Sequence, residues 1–262
     1  MKRISFIIAM MILGAFQTMA QGLDGLSKSE YRYWNFVLGL NHGFGGAMGD
    51  DYAQLMLHTN HGDMKKEKKG FTYTPGIHLG FVYNYDLTTN KAGIVAGIEF
   101  SDYGFQNKYK SLVSDDNVKE TYRAMAVTVP IMVKFGSTDI YRDMKYAFVG
   151  VKANMNLMCA YQQKATWTSE KYGKSMDGNM KKPLSVAATF GFNYNIFNIN
   201  VNYMFMDFVN SGYVNEEGCT PFNGIGGHIY VCTSLNIPMT RWLCINNWTA
   251  EKIRRKLKHH GQ

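Results

Sequence analysis

The feature that most constrains this chain is a sustained alternation of side-chain character over residues 122–157. In its first half, Met125, Val127, Val129, Ile131, Val133 and Phe135 hold every second position, with Ala124, Ala126, Thr128, Pro130, Met132 and Lys134 between them. In its second half, Ala147, Val149, Val151, Ala153, Met155 and Leu157 alternate with Phe148, Gly150, Lys152, Asn154 and Asn156. A period of two puts successive side chains on opposite faces of a β-strand. The stretch reads as two strands joined by a short turn, each with one apolar face and one small or polar face.

The same pattern recurs over residues 33–44, 73–85, 92–105, 184–196, 199–208 and 228–237, which makes eight strands in all. Connections alternate in length. Residues 86–91 and 136–144 and a tight turn at Phe197 and Asn198 are short, whereas 45–72, 106–120, 159–183 and 209–227 are long and polar. Short turns on one side and long loops on the other are the habit of outer-membrane barrels, whose long loops lie outside the cell. The faces separate this reading from a soluble β protein. The polar face is Gly, Asn, Ser, Thr and Ala, with Glu99, Lys134 and Lys152 as its main charges. The opposite face is aliphatic at mid-strand and aromatic towards the ends. Trp34, Tyr83, Tyr85, Phe135 and Tyr194 fall at one level, and Phe44, Tyr73, Phe100 and Phe205 at the other. Two aromatic girdles around an aliphatic band are what lipid contact selects. The expected fold is an all-β, eight-stranded antiparallel up-and-down transmembrane β-barrel. It has short periplasmic turns, long extracellular loops and a short C-terminal periplasmic tail.

The ends complete the organisation. Lys2 and Arg3, the apolar run 4–16 and Thr18-Met19-Ala20 form a secretory signal peptide over residues 1–20. A periplasmic segment follows at 21–32, then the barrel at 33–237 and a basic tail at 238–262. The formal charge of +8 is concentrated at those ends. Without Lys2 and Arg3, and without the six basic residues and one acid from Arg241 onward, residues 21–240 carry 20 basic and 19 acidic side chains, a net +1. That distribution argues against nucleic acid as a partner.

Val129-Pro130-Ile131-Met132-Val133-Lys134-Phe135 resembles the Ile-Pro-Leu-Leu-Leu-Lys-Tyr strand of PorT-like outer-membrane β-barrel proteins. Tyr146-Ala147-Phe148-Val149-Gly150 resembles the strand that follows it in that family, and the final hairpin with Val201-Asn202-Tyr203 is similar in layout. An even strand count returns both termini to the periplasm, and the resemblance implies the outer membrane of a Gram-negative bacterium. It also implies a role beside a protein secretion machine of the type IX kind as one reading. It carries no activity, and the C-terminal extension departs from the family pattern.

The candidate functional residues follow from the barrel. Glu99, Lys134 and Lys152 should point into the lumen, where an ionised side chain requires a partner. Glu99 with Lys152 is the better-matched pair, because Lys134 sits close to the periplasmic end. In the tail, Trp242, Trp248, Ile253, Arg254, Arg255 and Leu257 outline a short amphipathic helix suited to the inner leaflet or to a periplasmic or envelope protein. Cys159 and Cys219 both fall beyond the outer ends of strands and are candidates for a disulfide in an exported chain. Loop lysines, among them Lys65, Lys66, Lys68, Lys69, Lys164, Lys171, Lys174, Lys181 and Lys182, could neutralise lipopolysaccharide phosphates. A hydrolytic triad at the rim would need a serine and an acid beside a histidine. His42 has the right parity near an outer strand end, yet no spacing links it to a serine, and Asp207 falls at the rim on the same parity. No metal or cofactor is expected. The expected function is a non-enzymatic structural or interaction protein of the cell envelope, with outer-membrane lipid and lipopolysaccharide as partners. The alternatives are a secretion or envelope-assembly accessory and a lipid-modifying barrel enzyme.

Overall fold

The computed structural model describes residues 32–44, 64–66, 72–87, 92–111, 117–137, 144–165, 171–215, 218, 220–222 and 225–239. The expected signal peptide and the expected basic tail, with Trp242, Trp248, Ile253, Arg254, Arg255 and Leu257, lie outside them. In chain order the strands are β1 (Arg32–Phe44), β2 (Met64–Lys66), β3 (Tyr73–Leu87), β4 (Ala92–Ser111), β5 (Asn117–Ser137), β6 (Lys145–Ala165), β7 (Lys171–Ser175), β8 (Leu184–Tyr194), β9 (Phe197–Met206) and β10 (His228–Pro238). Among the described residues, eight of them pair antiparallel in the order β1-β3-β4-β5-β6-β8-β9-β10. β10 then returns to β1, with Asn35 opposite Pro238 and Gly43 opposite Tyr230. The ring is closed. β2 and β7 are short additions, on β4 and β6 respectively.

The alternating code sorts as the strands require. Ile131, Val133, Phe135, Val149, Val151, Phe190, Ile199 and Val201 look outward and are exposed. Asn35, Asn84, Glu99, Thr128, Lys134, Lys152, Asn154 and Asn202 look inward and are buried. The outward face is an apolar belt, the inverse of a soluble protein. Phe100 departs from its expected level. It stands opposite Leu79 and Val127, and Leu79 stands opposite Leu38, so Phe100 belongs to the middle of the belt. At the loop end, the Phe44–Tyr73 pair does mark the upper limit on β1 and β3.

Three boundaries differ from the sequence expectation, each for a local reason. The tight turn is Asn195–Ile196, between the paired Tyr194 and Phe197, and not Phe197–Asn198. Asn195 takes a φ of 56°, a left-handed conformation that asparagine tolerates better than most residues. Asp86 continues β3 and faces inward instead of opening a turn. The greatest difference is at the loop end, where segments expected to be loops remain strand. β4, β5 and β6 run 20, 21 and 21 residues, about twice the ~9–11 that cross a bilayer. Their excess forms a five-stranded sheet β2-β4-β5-β6-β7 standing beyond the belt.

Two bulges govern what enters the upper lumen. Met125 pairs with Met158 but Ala126 with Asn156, so Leu157 is an inserted residue. From there Cys159, Tyr161 and Gln163 point inward. Likewise Val186 pairs with Met206 and Ala187 with Met204, leaving Phe205 unpaired and turning Asp207 inward. An extra residue shifts the parity of everything beyond it. Pro130, which has no N–H, coincides with a gap in the β4–β5 ladder at Gly97 and Ile98.

At the same end β4 crosses close to β1, β3 and β5. A carbon added to Gly104 would meet the Tyr122 carbonyl oxygen at 2.1 Å, and one added to Gly76 would meet the Asp102 carbonyl at 1.9 Å. Only hydrogen fits. Gly104→Val is therefore expected to abolish the folded, heat-modifiable gel form. Gly173→Ala, whose added carbon has its nearest neighbour 4.0 Å away, should retain it.

Candidate functional site

The lumen is filled at three levels. Eight strands enclose a space just wide enough for side chains, so the inward charges find their partners among neighbouring side chains. At the short-turn end, Lys134 is completely buried. Its Nζ lies 2.5 Å from Asp86 Oδ1 and donates to Tyr33 Oη at 2.9 Å and Asn84 Oδ1 at 3.0 Å. The ammonium also faces the rings of Tyr33 and Tyr146, with centroids at 4.8 and 5.2 Å. Below it, Asn236 Nδ2 donates to Tyr146 Oη and to Asn193 Oδ1, both at 3.1 Å. The site depends on Gly93, where a carbon would lie 2.7 Å from both Asp86 Oδ1 and Lys134 Cε.

The middle level brings Glu99 and Lys152 together, with Glu99 Oε2 3.6 Å from Lys152 Nζ. Glu99 Oε1 lies 3.6 Å from His78 Nε2, and His78 Nδ1 is 3.1 Å from Ser101 Oγ. Serine, histidine and acid are the residue types of a hydrolytic triad. These three are almost completely buried inside the barrel, and the acid also faces a lysine, so no lipid substrate reaches them. Val37, Val82, Val95, Met132 and Phe148 pack around the group and leave a cavity of about 30 Å³. That is room for about two water molecules, each needing ~10–15 Å³.

The third level is aromatic. Tyr103 stacks on Tyr230 at 5.5 Å, Phe105 on Tyr122 at 4.8 Å, and Phe105 meets His228 at 4.7 Å. Phe208 and Phe222, from the connection between β9 and β10, fold into this layer beside Tyr103 and Tyr122. Asp207 Oδ2 anchors that connection on His228 Nδ1 at 2.9 Å. The expected rim position of Asp207 is thus corrected by the Phe205 bulge. Tyr122 and Tyr161 donate to the two oxygens of Glu120, at 2.8 and 2.6 Å. Cys159, expected in a loop and in a disulfide, is a free thiol buried in this layer. Cys219 lies outside the described residues.

The outer surface carries polar contacts as well. His42 remains on the rim, with Nδ1 and Nε2 each 2.8 Å from Tyr73 Oη and Thr233 Oγ1. Arg123 Nη2 pairs with Asp102 Oδ2 and donates to the Pro75 carbonyl at 3.1 Å. Above Arg123 the face code inverts. Lys110, Lys119, Gln162 and Lys164 look outward, and Tyr109, Val118, Tyr122 and Tyr161 look inward.

A closed eight-strand ring with an apolar exterior and a plugged interior is the geometry against which the chain's relatives can be judged. The family model described as outer membrane protein beta-barrel domain matches residues 19–210. The chain belongs to this outer-membrane β-barrel family. Two solved structures are similar to it. One is Ail, the attachment invasion locus protein of Yersinia pestis, in complex with the heparin analogue sucrose octasulfate. It is 11% identical, covers 79% of this chain and 98% of its own, and has a TM-score of 0.32. The other is OprG from Pseudomonas aeruginosa, 14% identical, covering 79% of this chain and 94% of its own, also at 0.32. No curated protein matches the chain.

Within this outer-membrane barrel, the residue that sequence reasoning missed is Asp86. Extending the inward series Asn84, Val82, Gly80 and His78 by one more step would have found it. Removing one partner of a buried pair leaves the other uncompensated. Lys134→Met is expected to lower unfolding stability by about 3–5 kcal/mol, read from urea denaturation in detergent. Lys134→Met combined with Asp86→Leu should recover most of that loss.

Proposed function

We propose that this outer-membrane barrel is a non-enzymatic interaction protein of the cell envelope, working through the surface of its long-loop end. In this reading the short turns and both termini face the periplasm, and the β2-β4-β5-β6-β7 sheet projects outside the cell. The filled lumen is the observation that carries it. With Lys134–Asp86 at one end, Glu99–Lys152 in the middle and Phe208 and Phe222 in the mouth, the interior leaves no passage for a solute. His42 is held by a tyrosine and a threonine, with no acid beside it among the described residues. That favours binding over hydrolysis.

The purified barrel in planar bilayers is expected to give no stable unitary conductance. Large, long-lived steps would mean that the plug opens and that transport is the function.

A second reading, a PorT-like accessory of protein secretion, draws on the strand Val129–Phe135, whose Lys134 is the buried cation of the short-turn end. It requires the basic tail to engage a periplasmic partner. Deleting residues 242–262 should then abolish partner pull-down while heat-modifiable mobility is kept, and an unchanged pull-down removes this reading.

A further inference from the structure

Beyond the belt, the outer surfaces of β5 and β6 carry a graded series of side chains that neither the lumen nor the closure of the ring uses. The register sets Met125 opposite Met158, Arg123 opposite Ala160, Thr121 opposite Gln162, and Lys119 opposite Lys164. From the belt upward the surface is thus apolar, then cationic, then neutral and hydrogen-bonding, then cationic again. Met158 is 65% exposed and the Arg123 side chain 45%. Lys119 and Lys164 are exposed as well. A groove of about 600 Å³ runs along this face, lined by Asp102, Thr121, Arg123, Met125, Met158 and Gln162.

The upper cationic step extends sideways. Lys108 of β4 stands opposite Lys119, and Lys171 of β7 occupies the position opposite Lys164. Four consecutive strands therefore place lysine in one row, at the strand spacing of ~4.7–4.9 Å. Lys119 and Lys164 are both exposed and stand directly opposite one another; like charges across a ladder repel, and an anion between them relieves that repulsion. Arg123 is prepared in a different way. Among the described residues, both of its contacts, to Asp102 and to the Pro75 carbonyl, use Nη2. The guanidinium has five N–H donors in a fixed plane, so Asp102 orients it and Nη1 and Nε remain to bind.

We propose that this face seats one anionic glycolipid of the outer leaflet. Its acyl chains run down the surface of Met125, Met158, Val127 and Met155. Its lipid phosphate meets Arg123, and its sugar hydroxyls meet Thr121 and Gln162. An anionic group further out on the saccharide lies against Lys119 and Lys164. The six residue steps from Met125 to Lys119 span ~20 Å of strand, or ~15 Å of height at a tilt of ~40°. That is the reach of a lipid with a charged oligosaccharide, and too tall for a single phosphate headgroup. The order apolar, charged, hydrogen-bonding, charged matches such an amphiphile from tail to sugar. A soluble polyanion would leave the exposed methionines unused.

This assignment rests on the orientation proposed above, with the loop end outside the cell. It is tested by native mass spectrometry of the full-length mature chain in detergent, titrated with lipopolysaccharide, with lipid A lacking the saccharide, and with heparin as a soluble polyanion. Heat-modifiable mobility verifies the fold of every variant. Lys119→Gln with Lys164→Gln should weaken lipopolysaccharide binding roughly tenfold or more, as loss of about 1 kcal/mol per cation implies, and leave lipid A binding unchanged. Arg123→Gln should weaken both, and Arg123→Lys, which keeps charge without the planar fork, should weaken both less. Lys145→Gln, at the opposite end of β6, should change neither. Equal lipopolysaccharide affinity in the wild type and in the variant combining Arg123→Gln, Lys119→Gln and Lys164→Gln would overturn the proposal. So would a lysine variant that loses heparin while keeping lipopolysaccharide. These substitutions are remote from the plug, so failure here leaves the closed lumen and its conductance test standing.

Discussion

Closure of the backbone ladder is the constraint from which the rest of this structure follows. In hydrocarbon an unpaired N–H or C=O costs several kcal/mol, so strands cross a membrane only as a ring without edges. Pairing of β10 with β1 over Asn35–Gly43 completes that ring. Once eight strands are closed, the interior is too narrow for a water channel, and its side chains must satisfy one another. The buried Lys134 is accordingly matched by Asp86, Tyr33 and Asn84, and Glu99 lies among Lys152 and His78. The same narrowness explains Gly93, which leaves room for the Lys134–Asp86 pair, and Gly104, which lets β4 pass close to β5.

The strands obey two opposite codes along their length. Within the belt, apolar side chains face out and amides face in. Above Met125 and Met158, lysines, threonine and glutamine face out and aromatic rings face in, as in a soluble sheet packed on a core. The Leu157 bulge falls at this junction, and the insertion of one residue re-aims Cys159, Tyr161 and Gln163 into the aromatic layer. The change of code marks where hydrocarbon ends and water begins. It also leaves a sheet of five strands in the aqueous layer, with Lys110, Lys119 and Lys164 on the outer face and aromatic rings closing the mouth.

Much of this was legible in the residues. The outward set Ile131, Val133, Val149 and Phe190 and the inward set Thr128, Lys134, Lys152 and Asn154 follow from parity alone, because a period-two ladder has two sides and lipid accepts one of them. The outermost ends of β4, β5 and β6, residues 106–111, 117–121 and 158–165, were not legible as strand. There the charges of Lys108, Lys110, Lys119 and Glu120 resemble a loop to a reader expecting the apolar-out pattern to continue. Asp207 and Cys159 were misplaced because a bulge has no signature in composition, yet reverses every parity beyond it.

By itself, the amino-acid sequence determined the closed β architecture, the lipid-facing side of each strand and the inward direction of Glu99, Lys134 and Lys152. These are local consequences of alternation and hold whichever strands are neighbours. The tertiary structure decided which inward charges meet and how far the sheet projects. It also decided that the β9–β10 connection folds back to seal the mouth, and that Arg123, Lys119 and Lys164 share one face. Those facts depend on register, and register is set by pairing between strands distant in the chain.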